Sequence, residues 1–236
     1  MKGRRSLRAR LEPLALLACI AACGLAGRPL PGQRGAGSDS ARADSLRADS
    51  LRRRERNGLI PAGFGTLRQD EIALVEQNLG LVVKAIPLDE SVIRTLAPDS
   101  YNNLRKIRES RTRDLEAIRS RLGLPSVQSW YITFFNSEKG EARYDAADVL
   151  VRSAGRDFRP LEVLGLKPGF GDGRLTQFGT QSALYAFDPA INLAQPLAVT
   201  IGTQTSNGWS DVLRKIELER SLIWSRASAA AAQKKP

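Results

Sequence analysis

From residue 59 onward, apolar and polar positions alternate in short runs, interrupted twice by stretches with a helical period. Ile72 and Leu74, then Leu79, Leu81, Val83 and Ala85, fall on alternate positions. They predict two short strands, with Gln77-Asn78 as the turn between them and Pro87 ending the second. Residues 129–135, SWYITFF, are β-branched or aromatic on both faces, which predicts a strand covered on both sides and therefore central. Residues 149–151, 161–164 (just after Pro160), 183–187 and 196–201 give shorter strands of the same kind. Short strands separated by turn residues predict a mainly β fold with α decoration: an antiparallel immunoglobulin-like sandwich with an inserted amphipathic helix and a C-terminal helix.

The inserted helix is capped by Asp99 or Ser100 and runs to Leu122, with Gly123 and Pro125 as its stop. Tyr101, Leu104, Ile107, Leu115, Ile118 and Leu122 form its apolar stripe. Its other faces carry seven basic and four acidic residues. Arg105, Arg108 and Arg111 are therefore candidate contacts for an anionic surface, either lipid or another envelope polymer. A solvated helix face with i,i+4 pairs such as Arg105–Glu109 accounts for the same pattern. Near the C-terminus, Trp209, Val212, Leu213, Ile216 and Ile223 keep helical spacing, while Ile216, Leu218, Leu222 and Trp224 can also alternate as a strand. The Ala-rich continuation and the lack of turn residues favour a helix from about Ser210, packing its Trp side on the sandwich. Trp130, Trp209, Trp224, Tyr101, Tyr131 and Tyr185 all lie in or beside apolar patterns, and core packing is the expectation for them.

The first 58 residues follow different rules. Five basic residues precede the apolar run at 14–25, which is 12 residues long. A membrane-spanning helix needs roughly 20, whereas a basic segment before a short apolar one is the layout of a secretory signal peptide. Ile20-Ala21-Ala22-Cys23-Gly24 resembles the bacterial lipobox. That resemblance implies a diacylglyceryl group on the Cys23 thiol, cleavage before Cys23, acylation of the new amine, and hence a membrane partner reached through a lipid anchor. Leu17-Ala18-Cys19 is a poorer match because Leu17 is bulky, and simple secretion after cleavage is the competing reading. Gly24, rather than Asp, is similar to the pattern of lipoproteins forwarded to the outer membrane, facing the periplasm or the surface. The chain then divides into a signal segment at 1–22, a lipidated Cys23 with a disordered tether to 58, one domain at 59–233 and a basic tail at 234–236. The tether is rich in Gly, Pro, Ser, Asp and Arg, with too few apolar residues to offset the entropy of ordering. Within it, Arg42-Ala-Asp-Ser-Leu46 is repeated at once as Arg47-Ala-Asp-Ser-Leu51. A five-residue period builds no helical stripe, so it reads as a solvated linker repeat. Residues 61–65, PAGFG, read as the tether's end.

The formal charge of +11 changes meaning once it is located. Residues 59–233 hold 21 basic and 20 acidic side chains, so the excess lies in the signal, the tether and the tail. Nucleic acid is therefore not an expected partner, since such a domain carries a basic stripe on its fold. The chain has no His and two Cys, and only Cys23 would survive cleavage. Disulfides, Cys or His nucleophiles, imidazole bases and thiolate or imidazole metal sites are thereby excluded from the domain. No cofactor and no metal is expected. Residues 167–174, KPGFGDGR, lack the Gly-Lys-Ser/Thr ending of a P-loop and the spacing of a dinucleotide fingerprint, and read as a loop. No D-x-D-x-D-G calcium loop and no S-x-x-K is present. Asp89, Glu90, Asp145, Asp148, Asp157, Asp172 and Asp188 are the scattered carboxylates from which an acid/base pair could be drawn. The expected function is a membrane-anchored envelope lipoprotein whose domain is a non-catalytic binding or scaffold module for an envelope protein or polymer. The alternative is a carboxylate-dependent hydrolase acting on an envelope polysaccharide.

Overall fold

Eleven strands and five helices follow one another in the computed structural model, which describes residues 59–233, with side chains to 230. The signal segment, Cys23, the tether and the tail lie outside the described residues. In chain order the elements are α1 (Gln69–Ile72), β1 (Leu74–Asn78), β2 (Leu81–Pro87), α2 (Glu90–Ile93), α3 (Pro98–Glu109) and α4 (Thr112–Leu122). They continue as β3 (Gln128–Asn136), β4 (Ala142–Arg143), β5 (Val149–Ser153), β6 (Arg156–Phe158), β7 (Glu162–Gly165) and β8 (Arg174–Leu175). The last are β9 (Thr180–Phe187), β10 (Leu197–Ile201), β11 (Gln204–Ser206) and α5 (Trp209–Gln233).

The fold is mainly antiparallel β with a C-terminal helix. One sheet has the order β1-β2-β3-β9-β7, a second has β11-β10-β5-β6, and β4 pairs with β8 alone. As its composition predicts, β3 is the middle strand of the larger sheet. Register places Pro87, Trp130 and Tyr185 in one cross-strand row, with Ala85, Ile132 and Ala183 in the next. Trp130, Tyr185, Ala85, Ile132 and Ala183 of those rows join Val149, Val151, Leu197 and Val199 of the second sheet in a single buried cluster. On the opposite face, Ile86, Tyr131 and Leu184 form a row. Tyr101 and Leu104 of α3 belong to the same cluster, and Leu115 of α4 packs against it. Polar ties from the helices reach the edge strand β7: Arg111 Nη2 donates to Gly165 O at 2.5 Å, and Arg121 pairs with Glu162.

Four expectations are corrected. The β1–β2 turn falls at Leu79-Gly80 rather than Gln77-Asn78, because Asn78 pairs with Leu81 and leaves a two-residue loop. Both loop residues have positive φ (43° and 78°), the twist that suits a tight hairpin. Leu79 is thus a turn residue, and Ile72 belongs to α1. Second, the predicted helix over 99–122 is two helices. Ser110 Oγ donates to Ile107 O and Thr112 Oγ1 to Glu109 O, so local hydroxyls compete for helix carbonyls while Arg111 reaches across to Gly165. Third, Trp224 is not core. The buried positions of α5 are Trp209, Val212, Ile216, Glu219 and Ile223, and Trp224 is 47% exposed one step around the helix. Fourth, 61–65 is held against the fold rather than ending a tether. Phe64 O accepts from Arg226 Nη1 at 2.9 Å, and any Cβ on Gly65 would strike the Thr95 and Leu96 carbonyls.

Strand register also sorts the molecule into two ends. Leu74, Pro87, Gln128 and Phe187 mark one end, close to α2 and to residues 59–68, where the chain joins the described fold. Asn78, Leu81, Asn136 and the start of β9 mark the other.

Candidate functional site

At that far end a side chain organises two loops. Asn136, the buried last residue of β3, donates from Nδ2 to Gly140 O at 2.9 Å and Thr176 O at 3.3 Å. Its Oδ1 accepts from Glu138 N at 3.1 Å. The chain is thereby folded back so that β4 and β8 can pair, and Tyr144 N donates to Gly173 O at 3.0 Å. Tyr144 then stacks on Phe134, with ring centroids 4.4 Å apart and Phe170 as a third ring. The loop after Tyr144 is shaped by an Asx turn, in which Asp145 Oδ1 accepts from Ala147 N at 2.8 Å. Tyr185 Oη crosses from the large sheet to donate to Ala146 O at 2.8 Å. Burial, with smaller contributions from Tyr144 and Asp145, pushes the Tyr185 phenol well above its ordinary range, so it stays a neutral donor. Finally, Gly202 N donates to Asp148 O at 3.0 Å, joining the β10–β11 turn to the same loop.

These contacts leave a cleft of about 470 Å³ between the β1–β2 hairpin, the β4 segment and the β10–β11 turn. Leu81, Val83, Phe134, Tyr144 and Ile201 form its apolar floor, and Leu79 stands at its mouth. Glu76, Glu141, Asp145 and Asp148 line it together with Arg143. Glu141 also approaches Arg174 at 3.7 Å. Glu76 is half-buried, whereas Glu141, Asp145 and Asp148 are exposed.

The predicted carboxylates therefore separate. Asp145 and Asp148 share the cleft. Asp89 caps α2 by accepting from Ser91 N at 2.8 Å, Glu90 pairs with Arg94, Asp157 with Arg152, and Asp188 accepts from Ala190 N in a turn. Asp172 lies in the glycine-rich loop at 167–174. Glu76, Glu141, Tyr144 and Asn136 are the site residues that pattern reading passes over. The local signal was an aromatic flanked by charges, Glu141-Ala-Arg-Tyr-Asp145, directly after Gly140.

The three predicted arginines separate as well. Arg105 and Arg108 line a groove of about 650 Å³ between α3 and α4, with Arg119, Glu109 and Glu116. Arg105 pairs with Glu109 at 2.7 Å and Arg119 with Glu116 at 3.6 Å. Arg111 is turned away, bound to Gly165 O and Asp114. Among the described residues no group of three metal-ligating side chains occurs, and no helix is long and apolar enough to cross a membrane. Comparisons with protein-family models, curated proteins and solved structures give no match to this chain.

Proposed function

We propose that the protein is a membrane-anchored envelope lipoprotein, held through Cys23, whose domain is a non-catalytic binding module that uses the far-end cleft. The observation that carries this reading is the cleft itself, an apolar floor rimmed by charged side chains at the end of the strands remote from residues 59–68. The lipobox-like residues 20–24 supply the anchor, and Gly24 supports an outer-membrane address. The finer fold assignment, an immunoglobulin-like sandwich, is part of the proposal. Two antiparallel sheets around one core, with Trp130 buried at the start of the long middle strand, speak for it.

The hydrolase alternative has one observation in its favour, since four carboxylates line a single cleft. A general acid, however, requires a carboxyl withdrawn from water, and Glu141, Asp145 and Asp148 are exposed. The binding reading fits those exposures better. One experiment separates the two: envelope polysaccharide fractions are incubated with the full chain and assayed for binding and for new reducing ends. Binding without new ends supports the module. New ends that disappear in Glu76→Gln or Asp145→Asn establish the hydrolase. The anchor has its own measurement, acyl labelling that is lost in Cys23→Ser and kept in Cys19→Ser.

A further inference from the structure

We propose that the far-end cleft takes a small amphiphilic cation, an ammonium or guanidinium group on an aromatic or aliphatic body. This assignment rests on the binding-module reading and names its ligand. Cavities that bury small ligands run from about 300 to 1,000 Å³, and the cleft is about 470 Å³. Its floor of Leu81, Val83, Tyr144 and Ile201 offers only apolar and aromatic surface. Its lining holds four carboxylates and one guanidinium, a local excess of three negative charges in a domain whose 21 basic and 20 acidic residues nearly cancel. Arg174, which approaches Glu141 at 3.7 Å from outside the lining, lowers that excess to two and leaves it negative. An anion entering this mouth meets repulsion, and a neutral apolar body leaves the carboxylates unused. A cation with an apolar body satisfies both parts. The larger groove between α3 and α4 shows the contrast. It is lined by Arg105, Arg108 and Arg119 against Glu90, Glu109 and Glu116, and so selects neither sign.

The geometry assigns separate tasks. Tyr144, fixed by its stacking on Phe134, lines the cleft where the body of the ligand would lie. Asp145 and Asp148, on the loop held by Gly202 and Tyr185, meet the charge.

The test uses the full chain in phosphatidylcholine nanodiscs and three fluorescent probes sharing one naphthalene body. These are dansylcadaverine (cationic), dansylamide (neutral) and dansylglycine (anionic), each read against empty nanodiscs. Dansylcadaverine is expected to bind saturably and about tenfold more tightly than the other two, the order that two partly exposed ionic contacts supply. Its affinity should fall with added salt and in Asp145→Asn/Asp148→Asn, which keeps the turn because an Asn side-chain oxygen still accepts from Ala147 N. Equal affinity for all three probes, unchanged in that double variant, overturns the cation assignment and leaves the binding reading standing. No saturable binding of any probe overturns the cleft as a ligand site altogether.

Discussion

Glu219 and Thr66 are separated by 153 positions, yet one carboxylate oxygen of Glu219 accepts both the Thr66 N–H at 2.8 Å and the Thr66 hydroxyl at 2.9 Å. The same oxygen accepts from Arg226 Nη1 at 2.6 Å, and Arg226 also holds Phe64 O. The first described residues are thereby clasped to the last helix through a carboxylate only 4% exposed. Breaking a buried pair from one side costs about 3 to 5 kcal/mol. Arg226 is 36% exposed and can turn to water, so Glu219→Ala should cost about 2 kcal/mol instead. Urea unfolding gives the number, and limited proteolysis should show earlier cutting near residue 64. An unchanged midpoint would mean that the clasp contributes nothing to stability.

The same carboxylate makes stability depend on pH. Burial alone would raise the Glu219 carboxyl, but the hydrogen bonds from Arg226 and Thr66 outweigh burial and hold it below the ordinary glutamate value. The unfolded chain, near pH 4.3 for a free Glu, therefore takes up its proton first. The contribution is full above that pH and is lost as pH falls through the lower folded value. Wild-type urea midpoints should thus drop more steeply between pH 5 and 3 than those of Glu219→Gln, which has no charge to lose there. Asp70, held low by Lys84, and Asp157, held low by Arg152, remain in both proteins and cancel from the comparison. Parallel curves for the two proteins would refute the assignment.

The strand at 129–135 could be read from sequence because every residue in it suits a doubly covered strand, and the helix at the C-terminus because its stripe repeats for several turns. Four elements, β4, β6, β8 and β11, are two or three residues long, too short to show a period. The break between α3 and α4 carries neither Gly nor Pro. It is marked by the hydroxyls of Ser110 and Thr112 bonding back to helix carbonyls, and by Arg111 reaching Gly165 O, 54 positions away. The cleft is harder still. Glu76, Tyr144, Asp148 and Ile201 come together only through strand order, which hydrophobic patterning does not encode. Gly65 and Asn136 likewise matter through neighbours that are distant in sequence.

Two buried tryptophans should respond differently to the same replacement. Trp209 and Trp130 are both fully buried, with rings 6.4 Å apart. Trp209 Nε1 donates to Leu193 O at 3.0 Å, whereas Trp130 Nε1 has no protein partner among the described residues. Phe removes similar volume at both sites, but only at 209 does it strand a buried carbonyl, at about 1 to 3 kcal/mol. Trp209→Phe is therefore expected to destabilise more than Trp130→Phe, and exposed Trp224→Phe to stay within about 0.5 kcal/mol of wild type. Chemical denaturation of the three variants checks the order, and equal losses at 130 and 209 would discount the Leu193 contact.

Leu79 sets stability against binding at one position. It is 91% exposed with φ of 43°, so it gains little from burial and holds a backbone conformation that β-carbon crowding disfavours by roughly 1 kcal/mol. Asn tolerates that conformation and, followed by Gly80, makes the favoured pair for a two-residue hairpin turn. Leu79→Asn should raise unfolding free energy by about 0.5 to 1 kcal/mol. Leu79 also stands at the mouth of the cleft, where its side chain would cover the apolar body of a bound ligand. The same variant should therefore bind dansylcadaverine more weakly while its preference for dansylcadaverine over dansylglycine, set by Asp145 and Asp148, is retained. Stabilisation with unchanged affinity would remove Leu79 from the site, and no stabilisation would show that the turn carries no strain worth relieving.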